Sequence, residues 1–203
     1  MKKFFATFIM LFMLPITLFG QVVVGTYRLA ATGRDYVVLV DDIPSDGSKS
    51  TSQLNNRQIY IQVETDSSSV QAFIKLTSKE LTRFMNTLNN QYSKALNYFA
   101  KKPSSRKKIG KNDVVLYLKK HDDIYNVDIF GYESGVDYDI FMTKNPNGTV
   151  LVSYIGESAK SEDEVVIKIK GWRFVISSTD EIKNLSSLLS KASAMIKNNS
   201  TEL

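Results

Sequence analysis

The 203-residue chain has no cysteine, a single histidine and a single tryptophan. Without cysteine it forms no disulfide framework, offers no thiol nucleophile and supplies no Cys-ligated zinc or iron–sulfur site. One histidine, His121, excludes His-rich metal sites and any mechanism that needs two imidazoles. Charge of one sign is modest too: 26 Lys and Arg against 21 Asp and Glu give a formal +5. With 43% hydrophobic and 23% charged residues, the composition is too apolar for a wholly disordered chain. No phosphate-cradling loop, dinucleotide fingerprint, G-x-S-x-G elbow or H-E-x-x-H pair occurs. These absences leave a globular protein that is not expected to be an enzyme and for which no cofactor or metal is expected.

Long apolar runs are lacking except at the start. Lys2 and Lys3 precede 16 uncharged residues, Phe4 to Phe19, and small Gly20 stands before Gln21. This is the layout of a secretory signal peptide, 1–20. A membrane-spanning helix needs about 20 apolar residues, and Pro15 would interrupt one. The absence of cysteine excludes a lipoprotein anchor. The expected location is therefore exported, periplasmic or extracellular. The 203 residues less the 20 of the leader leave 183, and the charge falls to +3 with the loss of two lysines. A chain of that size buries a sizeable core without disulfides.

Two helices are predicted from spacing. Leu81, Phe84, Met85, Leu88, Tyr92, Leu96 and Phe99 recur at steps of three and four, forming one apolar stripe. Thr77-Ser-Lys-Glu80 before it is a capping box, and Lys101, Lys102 and Pro103 end it. Ile182, Leu185, Leu189, Ala192 and Ile196 form a second stripe after the box Ser178-Thr-Asp-Glu181.

Elsewhere the period is two, as at Ile59, Ile61 and Val63 and at Val70, Ala72, Ile74 and Leu76. Further strands are expected at 22–30, 35–41, 112–119, 124–132, 136–143, 149–155, 164–170 and 172–177. They are rich in Val, Ile, Tyr and Phe. Turns are expected at Lys120–Asp123, Ser134-Gly135, Asn145–Gly148 and Gly171. Short connections imply antiparallel pairing. The expected fold is α+β: a mostly antiparallel sheet of about ten strands with two amphipathic helices packed on it, in a single domain, 21–203. Residues 73–89 align with 174–190 at an offset of 101, with Phe73/Phe174, Glu80/Glu181 and Leu88/Leu189 identical. One reading is a duplicated strands-then-helix unit, 21–102 and 112–203, joined by a basic loop. The other is that any capped strand–helix unit looks alike.

The basic stretch is the main candidate contact. Lys101, Lys102, Arg106, Lys107, Lys108 and Lys111 precede Lys119 and Lys120, with Asp113 the one acid among them. Such a run suits an anionic surface, or is simply a solvated loop. Nucleic acid is disfavoured, because 101–111 carries no interleaved aromatics. Asp41-Asp-Ile-Pro-Ser-Asp-Gly47 fails as a calcium loop. Counted from Asp42, the third position is Pro44 and the twelfth is Gln53. A triad would have to use His121 beside Asp122, in a turn. Asp137 and Asp139 stand about 6.6 Å apart along one strand face, as glycosidase acids could, but alternating surface acids give the same spacing. Tyr117, Tyr125, Tyr132, Tyr138 and Tyr154 are expected to pack across strands, and Trp172 to be core.

Two functional classes follow. The first is an exported non-catalytic binding or accessory protein of the cell envelope, recognising an unknown protein, glycan or envelope component. The alternative is a carrier of an apolar ligand in a sheet–helix cavity.

Overall fold

A computed structural model describes residues 21–41, 57–122, 127–160 and 167–201. Residues 1–20, expected to be a signal peptide, and the acidic stretch 42–47 lie outside the described residues. The elements are β1 (Gln21–Leu29), β2 (Arg34–Asp41), β3 (Gln58–Thr65), β4 (Val70–Thr77), α1 (Ser78–Phe99), β5 (Ser105–Asp122) and β6 (Val127–Lys144), followed by β7 (Val150–Gly156), β8 (Ala159–Lys160), β9 (Lys168–Ile169), β10 (Trp172–Ile176) and α2 (Thr179–Thr201). The chain is α+β: eight antiparallel strands form the main sheet and two helices pack on it. The main sheet is slightly smaller than expected because β8 and β9 pair only with each other. Among the described residues no helix is long and apolar enough to cross a membrane.

The sheet turns back on itself. Strand β3 pairs along Gln58–Val63 with β4, through Ile59–Ile61 with β2, and through Glu64 and Thr65 with β10. The pairings β3–β4–β5–β6–β7–β10–β3 therefore close a circuit of six strands, with the β1–β2 hairpin attached at β3. The two-residue period decides which face is buried. Ile59, Ile61 and Val63, their partners Leu76, Ile74 and Ala72, and then Leu116 and Leu118 all face one core. The helices cover that face, α1 against β4, β6, β7 and α2, and α2 against β1 and β2. A smaller cluster of Leu39, Tyr60 and Phe73 occupies the opposite face.

Both capping boxes form. Thr77 Oγ1 accepts from Glu80 N at 3.3 Å, and Thr77 N donates to the Glu80 carboxylate at 2.8 Å. Ser178 and Glu181 repeat the arrangement. Buried Glu181 also accepts from Ala30 N at 2.6 Å, tying α2 to the turn after β1. The second stripe is buried at all five positions. In the first, Leu96 is 39% exposed and Ala95 takes the core position. α1 ends where expected, just before Lys101, but the cation at its last carbonyls comes from elsewhere. Lys101 and Lys102 lie beyond the helix, and Lys144 of β6 donates instead to the carbonyls of Phe99 at 2.9 Å and Lys102 at 2.7 Å. The aligned phenylalanines of the two strand–helix units face opposite sides of the sheet, Phe73 in the small cluster and Phe174 in the main core.

Three local expectations are corrected, the first at Lys120–Asp123, where Lys120, His121 and Asp122 continue β5 opposite Phe130, Asp128 and Val127 instead of turning. Ser134-Gly135 is no turn: it lies inside β6, opposite Leu116 and Val115. Tyr132, Val136, Tyr138, Ile140 and Met142 keep one alternating phase through Ser134, and a reversal would have broken it. The joining segment is no loop from residue 105 onward, since Ser105–Lys111 is the first part of β5. By contrast, Asn145–Gly148 turns as expected, with Gly148 at φ 88° donating to the Asn145 carbonyl at 2.9 Å.

Candidate functional site

Strand β5 has two neighbours over only part of its length. It pairs with β6 throughout, but with β4 only from Val115 to Lys120. At Thr77 the β4 chain becomes helix α1, so among the described residues no strand lies on the outer edge of Ser105–Val114. The basic run falls on this edge. In a strand, neighbouring side chains alternate between faces, so the cations separate into two groups.

On one side, the ammonium groups of Lys102 and Lys107 lie 3.7 and 4.9 Å from the centre of the Tyr98 ring on α1. The Lys102 ammonium, by its hydrogen bond and then its charge, holds the Tyr98 hydroxyl below its ordinary acidity range, and Lys107 adds to the effect. On the other side, the Arg106 guanidinium stacks 4.0 Å over Phe141. Lys108 pairs with Asp139 and Lys111 with Asp137, each at 2.6 Å. Asp137 raises the Lys111 pKa, chiefly through its hydrogen bond. All six candidate cations, Lys101 included, are exposed. The structure thus brings them to one end of the molecule but neutralises two of them.

The aromatic residues absent from 101–111 are supplied by other elements, Tyr98 by α1 and Phe141 by β6. Spacing hints only at the first, because Tyr98 stands four residues before Lys102. Phe141 and Lys144 are brought in by the β5–β6 register, which the sequence does not spell out.

Beside the open edge lies a cleft of about 430 Å³, between α1 and the strands β4 and β5. Its walls are Leu76, Thr77, Phe84, Val114 and Tyr138, with Arg83 at α1 and Asp113 at β5. Lys75 and Glu133 form an ion pair in it. The Glu80 carboxyl sits below its ordinary value because the Thr77 backbone N–H and hydroxyl bond to its charged form. Asn112 donates to the Tyr138 hydroxyl at 3.3 Å.

The other candidates are placed as follows. Asp137 and Asp139 share a face of β6, each beside its lysine. His121 and Asp122 belong to the end of β5, opposite Asp128 and Val127, but their side chains lie outside the described residues, as does Tyr125. Asp41 accepts from Gln58 N at 2.9 Å and so joins β2 to β3. Tyr138 and Tyr154 are core, their rings 5.9 Å apart, and Tyr138 meets Trp172 at 5.5 Å. Burial drives the Tyr154 hydroxyl far above its ordinary pKa. Among the described residues no group of three or more His, Asp and Glu side chains could hold a metal ion. Comparison with models of known families, with curated proteins and with solved structures finds no match to this chain.

Proposed function

We propose that this chain is an exported, non-catalytic binding or accessory protein of the cell envelope that meets an anionic partner through the basic end of β5. One observation carries the reading: Lys102 and Lys107 over the Tyr98 ring on one side of the strand, Arg106 over Phe141 on the other, and neighbouring Lys101 are all exposed, with no acid paired to them among the described residues. Cations held over ring faces keep their charge while losing rotamer freedom, which lowers the ordering cost of binding. The non-catalytic part of the reading draws on Asp137 and Asp139, each engaged by a lysine on an open sheet face.

Packing supports surface binding over carriage of an apolar ligand. Phe73, Phe99 and Phe174 are fully buried side chains, and the cleft beside β5 is open to solvent rather than enclosed.

The test uses the chain from Gln21 onward on an immobilised sulfated polysaccharide with a sodium chloride gradient. Wild type should be retained, and the triple variant K101E/K102E/K107E should elute at clearly lower salt with an unchanged thermal midpoint. Equal elution of the two would overturn the reading. Export is tested separately, by sequencing the N-terminus of secreted full-length chain, expected at Gln21.

A further inference from the structure

The open edge of β5 and the cleft beside it occupy the same place. β4 accompanies β5 as far as Val115 and then departs at Thr77 into α1. The next strand position, alongside Gly110–Val114, is therefore vacant among the described residues, and the cleft of about 430 Å³ opens there. Along an antiparallel edge, alternate residues direct their N–H and C=O groups outward. The vacant position thus offers backbone donors and acceptors beside a cleft in which Leu76, Phe84, Val114 and Tyr138 are interspersed with polar and charged side chains.

Resting on the function proposed above, we infer that the edge Gly110–Val114 takes up an extended, acidic segment of a partner protein as an added strand. Charge selects the occupant. Asp113 stands at the cleft. Moving away from it, the edge carries Lys111 and Lys108, each paired with an aspartate of β6, then Lys107 and Arg106, which have no acid partner among the described residues, and Lys102 and Lys101 lie beyond it. A second copy added in parallel register would set the same cations against themselves, and like charges facing across strands repel. Lysines on an edge guard against self-pairing in that manner. An acidic segment removes the repulsion and leaves the backbone pairing available. The bulge at Ile109, where the register shifts between Lys108 and Gly110, marks the end of the straight edge. Pairing is thus confined to Gly110–Val114, and the cations beyond it act on side chains of the partner.

The experiment compares four probes on the chain from Gln21 onward: a ten-residue peptide alternating Val and Glu, the same peptide N-methylated throughout, a Val and Gln version, and the sulfated polysaccharide. The Val–Glu peptide should bind about tenfold or more tightly than its N-methylated form, which lacks the backbone donors that pair across a strand edge. It should also bind more tightly than the Val–Gln peptide. On its addition, outward amides within 110–114 should exchange with solvent about tenfold more slowly or better, whereas the polysaccharide should leave them unchanged. Equal binding of the plain and N-methylated peptides with unaltered exchange would overturn strand addition, and equal binding of the Val–Gln peptide would overturn the acidic selection. Binding of the polysaccharide without the peptide would also overturn the inference while leaving the anionic contact standing. Failure of every probe would remove both.

Discussion

Ser105–Val114 and Val115–Lys120 are halves of one strand that share one partner, β6, and differ in whether a second is present. Where β4 lies alongside, Leu116 and Leu118 are fully buried and the chain is core on one face. Where β4 has left, the residues other than Ile109, Gly110 and Val114 are polar or charged, and Arg106, Lys107 and Lys108 are all exposed. Composition thus follows the number of neighbours rather than the type of element. A stretch that reads as a charged connection is a strand whose other edge holds no strand among the described residues. The lesson applies wherever a long hairpin outruns its flanking strands.

The largest effect separating the halves should come from the doubly paired side. Leu116→Ala or Leu118→Ala should lower unfolding free energy by about 2–5 kcal/mol, read from urea denaturation midpoints. Thr77→Ala acts at the boundary, where β4 gives way to α1, and should cost about 1 kcal/mol by the same measurement. The cap also has a pH signature. The folded pKa of Glu80 lies below its ordinary 4.5, so its contribution is full above that value and is lost as pH falls through the folded value. Denaturation midpoints of wild type should fall through that acid window more steeply than those of Glu80→Gln. On the singly paired side, Lys107→Ala should change stability by no more than about 0.5 kcal/mol while weakening retention on a polyanion. A stability loss as large as that of Leu116→Ala would erase the distinction between the halves. Smallest of all, Asp137→Asn should return the raised Lys111 pKa toward its ordinary value, followed by NMR titration, without altering the fold.

What could be read in the sequence was what is local. The boxes Thr77–Glu80 and Ser178–Glu181 join residues three apart, and both helix stripes follow from spacing within about 20 residues. Alternation likewise reveals β3 and β4. The misread features depend on distant partners. Ser134-Gly135 has the chemistry of a turn, but its pairing with Leu116 and Val115 keeps it extended. The cation from Lys144 at the end of α1 crosses from another element, and closure at Glu64 and Thr65 joins segments about 108 residues apart. The candidate site was legible as a list of charges. Its platform was not, because Phe141 meets Arg106 only through the register of β5 on β6.

The lone tryptophan stands at the seam of the circuit. Trp172 pairs with Thr65 on one side and Gly156 on the other, and it is 3% exposed. Its indole lies so close over Gly156 that a Cβ there would fall 1.8 Å from Nε1, which leaves glycine as the only residue that fits without displacement. The protein thereby carries one indole fluorophore, excited selectively beyond the tyrosine absorption, at the joint where its sheet meets itself. Emission from that indole monitors the parting of β10 from β3 separately from the far-ultraviolet dichroism of the helices. The two signals can therefore tell an opening of the circuit from global unfolding without any label being introduced.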